Sequence, residues 1–484
     1  MAQTTHPCRD ARIAPFYRAE VASRRGKEQA ADRNALPASG EYAKKPCLLR
    51  TMWAGCLLGA GILLFSAPTI AADLLQVYQQ AVQNDPQYAA ARASLAAGQE
   101  KSAQGLSLLL PQADASGSYT RDKYQRVPHT SETRYTVGLS QPLFNWANYE
   151  SYEKSKLAVS LAEAQFATAQ QDLILRVAKA YFDVLSATDV LGFAVAQKTA
   201  IFQQRELART SFEVGTTTIT DVHESQARYD LASAQEYAAA SDLEVKRSAL
   251  GQIIGVLPAS LTPLKKAVDV TPPEPAQIAT WVQFAEKRNY SVTAAAMTLE
   301  MAKRDISIQG AGHAPTVDLV TSASHTSNKR YFSTPGGQVS SDNSGSVGVQ
   351  VRVPLFSGFA ITSRVREAIA LEEKARNDLI AARRSAAQMA REAYWGLHSG
   401  LSQIRAYRAA EVSSLSALDS SKLGYEAGVR TNIDVLNAQQ QVFSTHRDLT
   451  VSRHDTIINA LKLKYAAGIL NDQDMWQINQ LLEK

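Results

Sequence analysis

The chain has 484 residues, of which 45% are hydrophobic, and its formal net charge at pH 7 is +5. That excess lies entirely within residues 1–72, which carry ten Lys or Arg against five Asp or Glu; the remainder has 41 residues of each sign. The basic net charge therefore gives no indication of nucleic-acid binding, because it lies in a part of the chain that is expected to be removed. Much of the chain is rich in Ala and Gln, which predicts long helices and an elongated protein.

Residues 1–72 are expected to form an N-terminal extension and a secretory signal peptide. Three basic residues at positions 44–50 precede an apolar stretch at 52–65, and mostly small residues follow at 66–72. The apolar stretch is too short to span a bilayer, which needs about 20 residues. The region before position 44 is unusually long for a signal, so either the true start lies downstream of Met1 or the extension is genuine.

The cysteines, Cys8, Cys47 and Cys56, all precede the predicted cleavage site. The mature chain would then have no disulfide and no thiolate ligand for a metal. Beyond Asp73 no stretch of about 18 residues is free of charge, so no transmembrane helix is expected. In a membrane, such a chain could satisfy its backbone hydrogen bonds only as a closed barrel of strands.

The sequence contains an internal repeat. Phe212–Gln226 and Tyr425–Gln439 share six residues with their spacing kept, and the Pro-Leu-Phe segments at 142–144 and 354–356 also correspond. Conserved spacing of this kind indicates a duplicated structural unit. The shared residues are Glu213/Glu426, Gly215/Gly428, Thr218/Thr431, Asp221/Asp434, Val222/Val435 and Gln226/Gln439.

Each half is predicted to contain a helix, two strands and two long helices joined by a turn. Alternating apolar and polar residues predict strands around 135–139 and 347–353, paired with strands at roughly 111–124 and 315–330. Strands of about 13 residues exceed the 9–11 needed to cross a bilayer at a tilt, although a soluble sandwich would look similar. Because the smallest known barrels have about eight strands, several chains would have to share one.

Two long helices are predicted at 145–212 and 358–425, where apolar residues recur every four residues and Pro is absent. Each would be on the order of 100 Å long. A coiled-coil seam is predicted in the helix that follows the second one, at Ile433, Leu436, Gln440 and Phe443. Such helices pack closely but leave wide polar faces, which suits the wall of a polar lumen.

The repeated turn predicts a helical hairpin in each half. In the first turn, Gly215 suits the positive φ at a helix end, Thr218 suits an N-cap, and Asp221 lies in the first turn of the next helix. The two carboxylates either only cap their helices or, repeated around an assembly axis, also form rings that select cations. The equivalent residues of the second turn are Gly428, Thr431 and Asp434.

From Asp73 to its end the sequence resembles the TolC family of outer-membrane efflux and secretion channels. The resemblance is carried by Leu75–Ala81, Asn84–Pro86, both Pro-Leu-Phe segments and, most specifically, Tyr425–Leu436. It implies a mixed α+β membrane protein, a homotrimer whose long helical hairpins form an α-barrel through the periplasm. Four β-strands per chain would contribute to a shared 12-stranded transmembrane β-barrel in the outer membrane of a Gram-negative bacterium.

The family plan implies five regions in this chain. Residues 1–72 are the extension and signal, 73–257 form the first structural repeat, 258–285 form a connector in an equatorial region, 286–470 form the second repeat, and 471–484 form an equatorial tail.

The family closes its periplasmic end by contacts between inner and outer helix pairs, which implies a gate in this chain. Tyr425 is expected to bond Asp221, and Arg430 is expected to hold Thr220 or the neighbouring backbone. The alternative is that Tyr425 is an ordinary packing residue.

The resemblance also implies a selectivity ring formed by Asp434. One turn later the family often has a second Asp, whereas this chain has Asn437. A doubled ring of carboxylates is therefore not expected, and cation selectivity should be weaker.

Other classes of protein fit less well. The eight histidines are scattered without metal-ligand spacing, and Gly310–Gly312 lacks the rest of a phosphate-binding loop, so neither an enzyme nor a cofactor nor a metal site is expected. The alternative is a periplasmic coiled-coil adaptor, which shares the signal and a hairpin but usually carries one hairpin between compact β domains.

The resemblance implies partners but leaves the cargo open. A periplasmic adaptor (membrane fusion) protein and an inner-membrane ABC or proton-driven transporter are expected, and no nucleic acid. A neutral lumen does not distinguish an unfolded protein toxin from a small drug. The likeness to the unlipidated members of the family, which include secretion channels, slightly favours a channel that exports both.

Overall fold

The computed structural model describes residues 71–123, 130–256, 258–265, 271–330 and 338–483. The predicted signal peptide and the extension before it lie outside the described residues, apart from positions 71 and 72. The segment 333–337, whose Ser, Thr, Pro and Gly residues predict a loop between two strands, lies outside them as well.

The described elements follow the same order in each half. The first half contains α1 (Leu74–Asn84), α2 (Pro86–Ser107), β1 (Gln112–Asp122), β2 (Thr130–Phe144), α3 (Trp146–Glu213) and α4 (Ile219–Ile254). The second contains α5 (Ile278–Arg288), α6 (Tyr290–Gly310), β3 (Thr316–Arg330), β4 (Gln338–Arg352), α7 (Ala360–Glu426) and α8 (Asn432–Ala466), and α9 (Asp472–Asn479) follows. The predicted class of long helical hairpins with four strands is confirmed.

The long helices α3 and α7 have 68 and 67 residues. At 1.5 Å per residue each is about 100 Å long, as the sequence pattern predicts. Among the described residues, none of the helices is both long and apolar enough to cross a lipid bilayer.

The Asn84-Asp85-Pro86 segment separates α1 from α2 for a local reason. Pro86 takes the first position of α2, where its missing N–H is not needed, and the Asp85 carboxylate caps the helix by accepting from Gln87 N at 3.0 Å. Asp85 is buried, and Arg176 Nη2 on α3 lies 2.5 Å from its Oδ2. This pair fixes the start of α2 against α3, and loss of the half-buried Arg176 would leave the buried Asp85 carboxylate without its cationic partner.

The four strands form one antiparallel sheet in the order β1-β2-β3-β4. At the middle of β2, Val137 lies between Ala115 and Ala323 on one face, and the adjacent Thr136 lies between Ser116 and Ser324 on the other. Tyr135, Val137 and Leu139 of the first face are all exposed in the single chain, Val137 to 60%. The sheet thus has an uncovered apolar face and a polar face. β1 and β4 each have one edge without a partner strand among the described residues.

The buried stripe of α8 differs from the predicted coiled-coil seam. Leu436 is buried as predicted, but Ile433 and Phe443 are only half-buried and Gln440 is exposed. The buried positions are Asn432, Val435, Leu436, Gln439, Val442, Thr445 and Leu449. The reason is that α8 packs against both α7 and the first hairpin. Its buried face is therefore wider than the seam of a two-helix coiled coil, and it is shifted by about one residue from the predicted positions.

The connector after α4 and the tail after α8 are tied together by short backbone contacts. Ala72 pairs with Leu261 in a parallel bridge, and Leu264 pairs with Leu482 in an antiparallel bridge. The hydroxyl of Tyr181 on α3 donates to the carbonyl of Thr262 at 2.8 Å. The connector therefore joins the beginning of the described chain, its long helix and its C-terminal tail.

Replacing Gly468 by Ala is expected to lower the free energy of unfolding by more than ~1 kcal/mol. Gly468 has φ of 70°, and a Cβ there would lie 2.3 Å from the carbonyl oxygen of Arg288. Denaturant unfolding of the purified protein in detergent measures the loss. Gly215→Ala is the matched control, since it has φ of 77° but nothing within 4 Å of its Cβ position. Equal losses in the two variants would show that the contact with Arg288 is unimportant.

Candidate functional site

The turns that end the two hairpins have the same backbone geometry. Gly215 and Gly428 take positive φ values of 77° and 74° after α3 and α7. Gly215 N donates to Phe212 O at 2.9 Å, and Gly428 N donates to Tyr425 O at 3.0 Å. Only a residue without a Cβ adopts this conformation without strain, so the glycines end the long helices and turn the chain back.

In the first turn, Thr218 and Asp221 form a reciprocal cap at the start of α4. The hydroxyl of Thr218 accepts from Asp221 N at 3.3 Å, and Asp221 Oδ2 accepts from Thr218 N at 3.1 Å. Asp221 Oδ2 also accepts from the hydroxyls of Thr217 at 2.6 Å and Thr218 at 2.8 Å. The hydrogen bond from Thr217 and those from Thr218 hold the pKa of Asp221 below its usual value, so the carboxylate is ionised at neutral pH.

The second turn repeats this arrangement. Asp434 Oδ2 accepts from the backbone N of Thr431 at 2.9 Å and from its hydroxyl at 2.8 Å. These bonds, the backbone one first, and the nearby charge of Arg430 hold the pKa of Asp434 below its usual value. Thr431 and Asp434 therefore form the N-terminal cap of α8, as Thr218 and Asp221 do for α4.

The caps use only one oxygen of each carboxylate. The bonds to Asp221 and Asp434 within the described chain all end on Oδ2, and Oδ1 accepts none of the hydrogen bonds found there. Capping therefore leaves one charged oxygen of each group available to another donor.

The other predicted gate residues lie at the same end but are not joined as expected. The described part of the chain contains no hydrogen bond between half-buried Tyr425 and Asp221, and none between Arg430 and Thr220, which is exposed. Arg430 instead folds over Gly424, where an added Cβ would lie 2.6 Å from Arg430 Cγ. Within one chain, the hydrogen bonds found at the carboxylates of Asp221 and Asp434 therefore all come from their own turns.

Asn437 has a partner that the sequence pattern does not indicate. Arg228 on α4 donates from Nη2 to Asn437 Oδ1 at 3.1 Å and from Nη1 to Gln440 Oε1 at 2.9 Å. Arg228 also lies 3.4 Å from Glu224 on its own helix. The position that lacks the second carboxylate is thus held by a guanidinium from the first hairpin.

A buried polar cluster near the turns also escapes prediction from sequence. Asn432, the first residue of α8, bonds Ser225 on α4 and Gln204 on α3. Asn432 is more than 200 positions from each of its two partners along the chain, so no local spacing could have brought them together. No group of His, Cys, Asp or Glu with metal-binding geometry occurs among the residues that the structure describes.

The family model described as "Outer membrane efflux protein" matches residues 77–256 and 281–468, which is most of the chain. Outer membrane protein TolC of Vibrio cholerae is 33% identical over 417 residues, covering 86% of this chain and 94% of the relative. TolC of Escherichia coli K12 is 32% identical, covering 88% of each. Alkaline protease secretion protein AprF of Pseudomonas aeruginosa is 30% identical, covering 87% of this chain and 89% of the relative.

The fold is also similar to that of solved structures. The outer membrane protein VceC of Vibrio cholerae matches with a TM-score of 0.70 at 19% identity, covering 82% of this chain and 96% of that one. The Campylobacter jejuni CmeC outer membrane channel matches with a TM-score of 0.70 at 16% identity, covering 85% and 90%.

These relatives confirm the predicted location and function and exclude the alternative of a coiled-coil adaptor. The chain is an outer-membrane exit channel of the efflux and type I secretion kind, a passive conduit and not an enzyme. With the two matched segments spanning both hairpins and both strand pairs, it belongs to the outer membrane efflux protein family.

Proposed function

We propose that three copies of this chain assemble around a common axis, so that their strands close into one continuous sheet and their helical hairpins wall one duct. The observation that carries this proposal is the four-stranded sheet, with an uncovered apolar face and unpaired edges at β1 and β4. An open edge in lipid leaves backbone groups without hydrogen bonds, so the edges of one copy need those of its neighbours. The apolar face then contacts lipid, and the polar face lines the lumen.

The hairpin turns form the gate of this duct at its periplasmic end. Asp221 Oδ1 is the acceptor left available by the first cap, and Tyr425 and Arg430 at the second turn supply a hydroxyl and a guanidinium. In the assembled channel these donors reach Asp221 and Thr220 across the boundary between hairpins. Charge-assisted bonds of this kind are stronger than neutral ones, so breaking them is the step that opens the duct.

The Asp434 carboxylates form a ring at the constriction. Asp434 lies at the N-terminus of α8, its pKa is lowered, and its Oδ1 is available to an ion. Asn437, one turn further, is bonded by Arg228 and contributes no negative charge. The channel therefore selects cations through one ring of carboxylates.

The duct works with a periplasmic adaptor protein and an inner-membrane transporter, because a passive channel has no energy source of its own. Among the relatives, AprF is a secretion protein by name, and BepC of Brucella suis is an efflux protein by name. We propose that this chain exports both secreted proteins and small drugs. The inner-membrane transporter that works with the channel determines which of the two is supplied.

Neutralising the ring tests its assignment. Asp434→Asn is expected to weaken block of the channel by divalent cations in planar bilayers, because the carboxylates that bind the ion are lost. The titration of current against Mg²⁺ concentration measures the effect.

Asp242→Asn is the control, because it removes one carboxylate from an exposed position on α4 far from the turn. Block by Mg²⁺ should be unchanged in that variant. If Asp434→Asn leaves block as strong as in the wild type, the ring does not lie at Asp434.

A further inference from the structure

The apolar face of the sheet, on which Val137 and Val347 lie, changes character along the strands. At the end of the strands away from the helices it carries two cations, Arg121 on β1 and Lys329 on β3. Both residues pair with Ser131 of β2, so they lie in one row across the sheet, and both side chains are exposed. We call Arg121 and Lys329 the cation pair.

The acidic residues of the sheet all lie on the other face. In the described strands, the polar face carries every carboxylate, and there Arg134 lies 2.8 Å from Glu132. The apolar face carries none on any of the four strands, and the cation pair forms no ion pair within the described part of the chain. The carboxylates of the polar face are Asp114, Asp122, Glu132, Asp318 and Asp342.

The height of the cation pair relative to the bilayer follows from strand geometry. Ser131 precedes Val137 by six residues, which is about 20 Å along a strand. With the tilt of about 40° usual in membrane barrels, this is roughly 15 Å along the membrane normal. Because the apolar band of such barrels is about 25 Å tall, a row 15 Å above its middle lies at the level of the lipid head groups.

Two tyrosines of the same face support this level. Tyr119 and Tyr135 are 66% and 60% exposed, and they lie between Val137 and the cation pair. Aromatic side chains of this kind flank the apolar band of membrane barrels. Of the polar side chains at this height, Nδ1 of His325 has a partner, Oδ1 of Asn343 at 2.6 Å. The cation pair has no such partner in the described strands.

We propose that Arg121 and Lys329 bind the phosphate groups of a lipid in the outer leaflet of the outer membrane. This inference rests on the proposed assembly, because it takes the apolar face as the one in contact with lipid. A guanidinium offers two parallel N–H donors to a phosphate, and an ammonium adds a point charge. The apolar part of the same face lies directly below the cation pair, where the acyl chains of such a lipid would run.

A lipid bound there would join the two halves of the chain. Arg121 belongs to the strand pair of the first half and Lys329 to that of the second. Their Cα atoms are two strand spacings apart, about 10 Å. A phosphate that bonds both side chains therefore holds β1 and β3 on either side of β2.

Binding of bisphosphorylated lipid A to the purified channel in detergent, followed by native mass spectrometry, tests the inference. Arg121→Gln and Lys329→Gln should each weaken binding roughly fivefold, because each removes one cation beside an anionic head group. The double variant should weaken binding about 25-fold, since well-separated contacts add. Unchanged binding in the double variant would overturn the inference.

Arg330→Gln is the matched control. Arg330 is the next residue of β3, is equally exposed, and lies on the polar face opposite Gln338. The substitution removes the same charge and should leave the binding of lipid A as in the wild type. A loss equal to that of Lys329→Gln would show that net charge alone governs binding, and the cation pair would then be no site.

Two further probes identify the part of the lipid that is bound. Lipid A from which both phosphates have been removed should bind much more weakly to the wild type. Equal binding would show that only the acyl chains are held, which contradicts the inference. Inorganic phosphate should not displace bound lipid A, and complete displacement would indicate a general anion site in place of a lipid site.

The inference and the proposed assembly fail in different ways. A wild-type protein that is monomeric in detergent would overturn both, because there would be no barrel for a lipid to surround. A wild-type protein that assembles but binds lipid A no better than the double variant does would overturn the lipid site alone. Heat-modifiable migration on gels shows whether each variant has assembled before its binding is compared.

Discussion

A channel carrying Tyr425→Phe is expected to pass a higher single-channel current in planar bilayers than the wild type. The substitution removes one hydroxyl, which is the donor that the available Oδ1 of Asp221 would accept in the assembled gate. Asp221→Ala should raise the current further, because it removes the acceptor of Tyr425 and also the cap of α4, a change that typically costs about 1 kcal/mol. Loss of either group is expected to shift the proposed gate towards the open state.

Tyr407→Phe is the control for this experiment. Tyr407 is a half-buried tyrosine of the same helix, roughly five turns before Tyr425. Its current should match that of the wild type. Unchanged currents in both Tyr425→Phe and Asp221→Ala would remove these residues from the gate, whatever the current of the control.

The second large effect is expected at the apolar face of the sheet. Val137→Lys should prevent stable assembly in the outer membrane, because Val137 lies at the middle of β2 on the face assigned to lipid. A lysine at the bilayer midplane of a strand protein destabilises by about 2–4 kcal/mol. The amount of protein in the outer-membrane fraction, and its heat-modifiable migration on gels, measure the loss.

Thr136→Lys gives a closely matched control. Thr and Val have nearly the same shape, the two positions are adjacent, and Thr136 lies on the polar face between Ser116 and Ser324. Because that face is the one assigned to the lumen, Thr136→Lys should assemble normally and only change the ion selectivity. Equal loss in the two variants would contradict the assignment of the faces.

Local features of the fold can be predicted from the sequence because they depend on neighbouring residues. Glycine at a helix end and threonine three residues before aspartate specify the turn by themselves, and both turns have that geometry. The alternation in β2 and β4 likewise predicts two faces of a sheet. The strands at 112–122 and 316–330 begin and end within two residues of their predicted bounds.

Contacts between distant segments could not be predicted in the same way. The buried face of α8 is determined by two neighbouring helices together. The heptad pattern of a two-helix coiled coil therefore predicts that Gln440 is buried, whereas it is exposed. The bond between Asn432 and Ser225 and the one between Arg228 and Asn437 join residues over 200 positions apart. A polar residue in a helix carries no local signal of whether it faces solvent or a buried partner.

The two backbone bridges of the connector set an order for biogenesis. Ala72 cannot pair until Leu261 has been made, and Leu264 cannot pair until Leu482 has been made, about 200 residues later in each case. Contacts between such distant positions form late, because the intervening chain must first be translocated and brought back. A polypeptide that ends before Leu482 therefore cannot form the bridge with Leu264, so its connector and its tail stay unjoined at that point.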